Sequence, residues 1–211
     1  MNKDNDIKSN FIKTGFPKLL KPFEKSMNEV EKISKAFGLA LRIHSNMTRK
    51  YQYDKIEPQI NHSLRVALIV NEEMNVDDSD LVCSALLHDI SIKQEISKET
   101  KDYIKKELSE KTFNIISFFN KNYDQEQQQQ PNKNEEQKIE KQFSRVKKSD
   151  NFIKNILLAE RLDELRSLKN SRRKDKITRI KEETQKYFIP LAETTNEKIL
   201  LKLVIALYEL K

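Results

Sequence analysis

The chain has 211 residues, 35% of them charged and 36% apolar, with a formal net charge of +7. That length bounds it to one domain, or one domain with an insertion, large enough to bury a core. Only two glycines are present, Gly15 and Gly38, which excludes a glycine-rich phosphate loop or a dinucleotide fingerprint, so any phosphate chemistry must rest on side chains and metal.

The N-terminal run Met1 to Asp6 mixes both charge signs and lacks the apolar core of a signal peptide. The longest apolar candidate for a membrane span, Ile199 to Leu210, is short and carries Lys202 and Glu209. The single Cys83 lies inside an apolar run and reads as a core residue in a reducing compartment. The expectation is a cytoplasmic protein without membrane partners. A basic balance suits a polyanion, but the lysines are spread along the whole chain with no aromatic interleaving. Nucleic acid is therefore not expected as a partner.

In chain order, residues 1–22 read as a loose polar lead-in ending in Pro17 and Pro22. From Phe23 the pattern turns helical, with Val30, Ile33, Phe37, Ala40 and Leu41 on one face and His44 continuing it. Met47 to Asn61 reads as a loop. A second helix is expected from about Asn61 to Met74, with Val66, Ile69 and Val70 facing inward and His62 one turn earlier. Asp77 and Asp78 are candidate caps for a third, which carries Leu81, Ala85 and Leu86 and ends at His88-Asp89. Two short helices follow over 97–121. Asp124 to Glu136, with four consecutive glutamines and Pro131, reads as a disordered surface insertion. Helical signal resumes at Ile139 and is clearest from Phe152 to Leu168. A charged helix from Arg172 to Tyr187 is expected to break at Pro190, and Asn196 to Leu210 closes the chain.

No strand pattern or repeat is evident, so the expected class is all-α, a helical bundle with one low-complexity insertion. The expected organisation is a lead-in at 1–22, a domain at 23–195 interrupted at about 122–138, and a final helix at 196–211. That last helix either packs on the domain or serves as a homodimer face.

All three histidines fall at helix ends. His44 ends the first core helix, His62 opens the second, and His88 ends the third with Asp89 attached. Helix termini converge on one point more readily than helix middles. Imidazole and carboxylate together suit a divalent cation such as manganese, iron or zinc. Three imidazoles and a carboxylate also leave positions for water and substrate, as a hydrolytic metal requires. A lone histidine beside an apolar face is more often a hydrogen-bonded core residue; three in series with a carboxylate favour the metal.

The ordered series His44, Arg49-Lys50, Glu57-Pro58-Gln59-Ile60-Asn61-His62, Ala85-Leu86-Leu87-His88-Asp89 and Leu158-Ala159-Glu160-Arg161-Leu162 resembles the HD-superfamily hydrolase domain of the RelA/SpoT homologues. The likeness continues through Arg166-Ser167-Leu168 and Tyr187-Phe188-Ile189-Pro190-Leu191-Ala192, covering roughly residues 30–195 apart from the glutamine-rich stretch. It implies an all-helical, Mn2+-binding domain that removes the 3′-pyrophosphate from guanosine tetra- and pentaphosphate. By the same resemblance His44, His62, His88 and Asp89 stand at metal-ligand positions, and His88 and Asp89 at the catalytic centre. Glu160 stands where the family has a fifth ligand, an aspartate; the extra methylene moves its carboxylate by about 1.5 Å. Arg49, Lys50 and Arg161 stand beside the nucleotide, where cations suit a substrate with several phosphate charges.

Departures from the family are equally specific. Three and four residues after His-Asp the family carries a Glu-Asp pair that assists the attacking water, and this chain has Ile92-Lys93. Losing that pair removes a proton-transfer contribution on the order of 10² to 10⁴ in rate. Gln59 replaces a tyrosine, and Glu164 replaces an asparagine that holds the nucleotide. The leading expectation is hydrolysis of guanosine 3′,5′-bis(diphosphate). Two alternatives stay open: a degenerate domain that binds nucleotide or protein without turnover, and hydrolysis of another nucleotide.

Overall fold

Apolar residues recurring at helical spacing on a charged background give helices with one buried face. The computed structural model describes residues 3–90, 96–128 and 135–210, and it is built from such helices. They are α1 (Lys3–Leu20), α2 (Met27–Ile43), α3 (Gln59–Leu68), α4 (Ser79–Leu87), α5 (Lys98–Tyr103), α6 (Glu110–Gln128), α7 (Glu135–Lys147), α8 (Asn151–Ser167), α9 (Lys174–Glu183), α10 (Ile189–Glu193) and α11 (Glu197–Glu209). Wide π turns extend α3, α5 and α9 at Ile69–Glu73, Ile104–Leu108 and Thr184–Phe188. Among the described residues the class is all-α with one two-stranded hairpin, and no helix is long and apolar enough to cross a membrane.

The three helices α3, α4 and α8 pack pairwise at the centre. Leu64, Leu81, Leu86, Leu158 and Leu162 are fully buried between them. Asp78 caps α4, its Oδ1 accepting from the Leu81 N–H at 2.9 Å, which fixes where that helix starts and hence where it delivers His88 and Asp89.

Four differences from the sequence expectation have physical reasons. Residues before 20 form a helix rather than a loose lead-in, because Phe11, Ile12, Phe16 and Leu19 make a narrow apolar stripe within otherwise polar sequence. Gly15 lets α1 lie close on α3: a Cβ there would come within 3.1 Å of Leu64 Cδ2. Met47 to Asn61 is a hairpin, not a loop: β1 (Thr48–Tyr51) pairs antiparallel with β2 (Lys55–Pro58), and α3 starts two residues early at Gln59. The hairpin tip places Tyr53 and Asp54 at φ 56° and 57°, and Asp54 is tied down by the Ser171 hydroxyl at 2.7 Å, the Arg172 N–H at 2.9 Å and Arg173 Nε at 2.8 Å. Hydrogen bonds from the Arg172 backbone and Ser171 hold the Asp54 carboxyl down at about 2. Pro190 does not break the chain's helical course. It occupies the first turn of α10, where its missing N–H costs nothing. Finally, helical backbone of α6 and α7 covers 122–128 and 135–138 of the insertion expected at about 122–138, and 129–134 lie outside the described residues.

Candidate metal centre

His62 and Arg65 sit three residues apart on α3, so both side chains can meet one group on a neighbouring helix. That group is Asp163 of α8, which is fully buried. Asp163 Oδ2 lies 2.7 Å from His62 Nδ1, and its Oδ1 accepts from Arg65 Nε at 2.5 Å. Arg65 also holds Glu57 of β2 through two contacts of 2.5 and 3.0 Å, and its guanidinium lies 3.9 Å over the Tyr51 ring. A carboxylate facing Nδ1 fixes the proton there and turns the Nε2 lone pair toward the site, the arrangement that orients a metal-binding histidine. Burial pushes the His62 imidazole below its ordinary value despite Asp163, keeping it neutral and able to ligate.

His88 follows the same logic with a backbone partner. Its Nδ1 is 2.8 Å from the Ala85 carbonyl oxygen, so Nδ1 donates and Nε2 presents a lone pair. That Nε2 is buried with no hydrogen-bond partner. His44, capping α2, has Nδ1 3.4 Å from Ser63 Oγ, while Ser63 donates to Asp89 Oδ1 at 3.2 Å. The His44 Nε2 then lies 3.2 Å from Asp89 Oδ1 without hydrogen-bond geometry. Two buried acceptors that close are unfavourable unless a cation joins them. Gln59 Nε2 donates to Asp89 Oδ2 at 2.5 Å, which aims the carboxylate.

The ligand atoms of His62, His88 and Glu160 lie within 4.8 Å of one another, a grouping that small side-chain adjustments would close around one ion. Of the five residues expected at ligand positions, the structure thus closes three into one group and sets His44 against Asp89 beside it. The donor set of imidazole nitrogens and carboxylate oxygens fits a divalent cation such as manganese, iron or zinc. Cys83 takes no part: burial pushes its thiol up to about 12.

Beside Glu160 opens a cavity of about 160 Å³, lined also by Phe143, Arg161, Glu164, Glu183 and Phe188. Arg161, expected beside the nucleotide, is engaged by protein groups. It donates to Glu183 Oε2 at 3.0 Å, lies 3.4 Å from Glu164 Oε2 and stacks 4.0 Å over Phe188, though its Nη1 keeps an unpartnered donor. Burial pushes the Glu164 carboxyl up, but the charges of Arg161, Lys176 and Arg49 hold it below the usual range. Arg49 is half-buried on β1 and its charge reaches both His62 and Glu164. Lys50, the next residue on β1, is exposed, since the strand alternates exposed and half-buried residues and adjacent side chains take opposite faces. Ile92 and Lys93, which stand where the family carries its Glu-Asp pair, lie outside the described residues.

Asp163, Ser63 and Glu183 are site residues that the sequence reading missed. Asp163 had a signal: with Ile156 and Ala159 it falls on the buried face of α8, where a carboxylate needs a partner.

The sequence matches the HD domain family model over residues 25–195. No curated protein matches it significantly. Among solved structures, a metazoan ortholog of SpoT that hydrolyzes ppGpp is similar at a TM-score of 0.64 and 21% identity, covering 84% of this chain and 94% of that one. At that identity the likeness is one of fold.

Proposed function

This chain belongs to the HD domain family, and from that premise we propose that it hydrolyses guanosine 3′,5′-bis(diphosphate), releasing the 3′-pyrophosphate with Mn2+ bound. The observation that carries the reading is the grouping of His62, His88 and Glu160, with the buried Nε2 atoms of His88 and of His44, the latter against Asp89, lacking hydrogen-bond partners. His44, His62, His88, Asp89 and Glu160 would hold the metal. Bound there, the metal supplies Lewis acidity and a water acidified toward neutrality. Asp163 fixes the His62 proton on Nδ1, Gln59 and Ser63 orient Asp89, and Arg49 meets substrate phosphate. The similar metazoan SpoT ortholog, which hydrolyzes ppGpp, supports the choice of nucleotide.

One observation favours a second reading, hydrolysis of a less highly charged nucleotide. The cavity beside Glu160 presents three carboxylates and one engaged guanidinium, a lining that repels polyphosphate. Purified protein assayed with guanosine tetraphosphate distinguishes the two. Manganese-dependent pyrophosphate release is the expected result, and bound manganese with turnover only of nucleoside mono- or diphosphates would establish the second reading. Glu164→Asn is expected to lower KM for guanosine tetraphosphate about fivefold, because removing one like charge near the phosphates is worth about 1 kcal/mol. An unchanged KM would show that Glu164 does not face the substrate.

A further inference from the structure

The final helix, α11, is apolar on two sides and covered on one. Ile199, Leu203, Ala206 and Leu207 are buried, the helix packing on α8 and α10. Leu201, Val204, Ile205 and Tyr208 remain 63%, 48%, 50% and 90% exposed. Spaced three, one and three residues apart, they form one continuous stripe along the helix. A helix apolar on both sides belongs in a covered position. A contiguous stripe, unlike scattered apolar residues, marks an interaction surface.

We infer that this stripe is the contact of a symmetric homodimer in which two copies of α11 pack antiparallel. The stripe is centred between Val204 and Ile205, so a two-fold axis there sets Leu201 against Tyr208 of the second copy and Val204 against its Ile205. Charge supports the same occupant. Lys198 and Glu209 are both exposed, stand at opposite ends of the stripe, and at 3.6 residues per turn lie on the same flank of it. Antiparallel packing brings a flank against its own copy, so Lys198 of each chain meets Glu209 of the other, twice. Glu209 now pairs with Lys169 at 3.2 Å on the surface, a half-exposed contact that contributes little and does not oppose the exchange. The two stripes and their flanks would bury about 1,000 Å² in total, at the lower bound of specific interfaces, so a weak dimer is expected, with a Kd on the order of 10 µM.

Sedimentation velocity on the full chain tests this. The expected result is a monomer at about 1 µM and a dimer at about 100 µM, either side of that Kd. Ile205→Glu should remain monomeric at both concentrations with an unchanged circular dichroism spectrum, since Ile205 is half exposed. Lys198→Glu should weaken the dimer about tenfold by facing two pairs of like charges, and Lys198→Glu with Glu209→Lys should restore it. A parent monomer at about 100 µM, ten times the expected Kd, would overturn the inference. So would a dimer that survives Ile205→Glu, and failure of the charge swap to restore association would overturn the antiparallel arrangement.

Discussion

His88→Ala is expected to abolish manganese-dependent hydrolysis and bring bound metal to background while leaving the helical fold in place. The side chain is buried, its Nδ1 is committed to the Ala85 carbonyl, and its Nε2 has no protein partner. The mutation therefore removes a ligand atom and little structural bonding. Loss of an outer hydrogen-bond partner alone lowers metal affinity about 10- to 100-fold, and loss of a direct ligand should exceed that range. Metal content, turnover and circular dichroism on one preparation check the prediction. Full manganese occupancy in the mutant would remove His88 from the site. Asp89→Ala should behave alike in metal content.

Arg65→Ala should have the largest effect on stability. Its guanidinium lies between two carboxylates, Glu57 and the fully buried Asp163. Removing it leaves Asp163 as a buried charge facing only His62, and breaking a buried pair in this way costs about 3–5 kcal/mol. Denaturant unfolding measures it. The control is Asp163→Asn, which keeps the shape but weakens the orientation of His62, so its main cost should appear in metal affinity, about 10- to 100-fold. In the double mutant Arg65→Ala with Asp163→Ala the two stability losses should fall well short of adding. Full additivity would mean that Arg65 acts through Glu57 and Tyr51 rather than through Asp163.

These two predictions concern residues of very different legibility. His88 and Asp89 announce themselves, since a polar pair ending an apolar helical run needs an explanation in the sequence itself. Arg65 and Asp163 lie 98 residues apart, and neither local pattern names the other. Only the packing of α3 on α8 joins them. The helical class followed from periodicity, whereas the hairpin did not, because β1 and β2 are four residues each and carry charges on both faces. Its formation depends on remote anchors, Asp54 on the segment 171–173 above all. Likewise α1 was obscured by polar residues around a narrow stripe whose partner, α3, begins some forty residues later. The resemblance named five ligand positions, but the grouping of His62, His88 and Glu160 and the approach of His44 to Asp89 depend on side-chain directions set by Asp163, Ser63 and Gln59. The pairing of Arg161 with Glu183 bridges two helices and likewise has no local signal in the sequence.

The most direct test is to count manganese bound to the metal-depleted protein by titrating Mn2+ and following the free ion by electron paramagnetic resonance. The account predicts one saturable site per chain, lost in His88→Ala and weakened in Asp163→Asn. No saturable uptake, or uptake that persists undiminished in His88→Ala, would contradict the claim that these buried histidines and carboxylates form a metal centre.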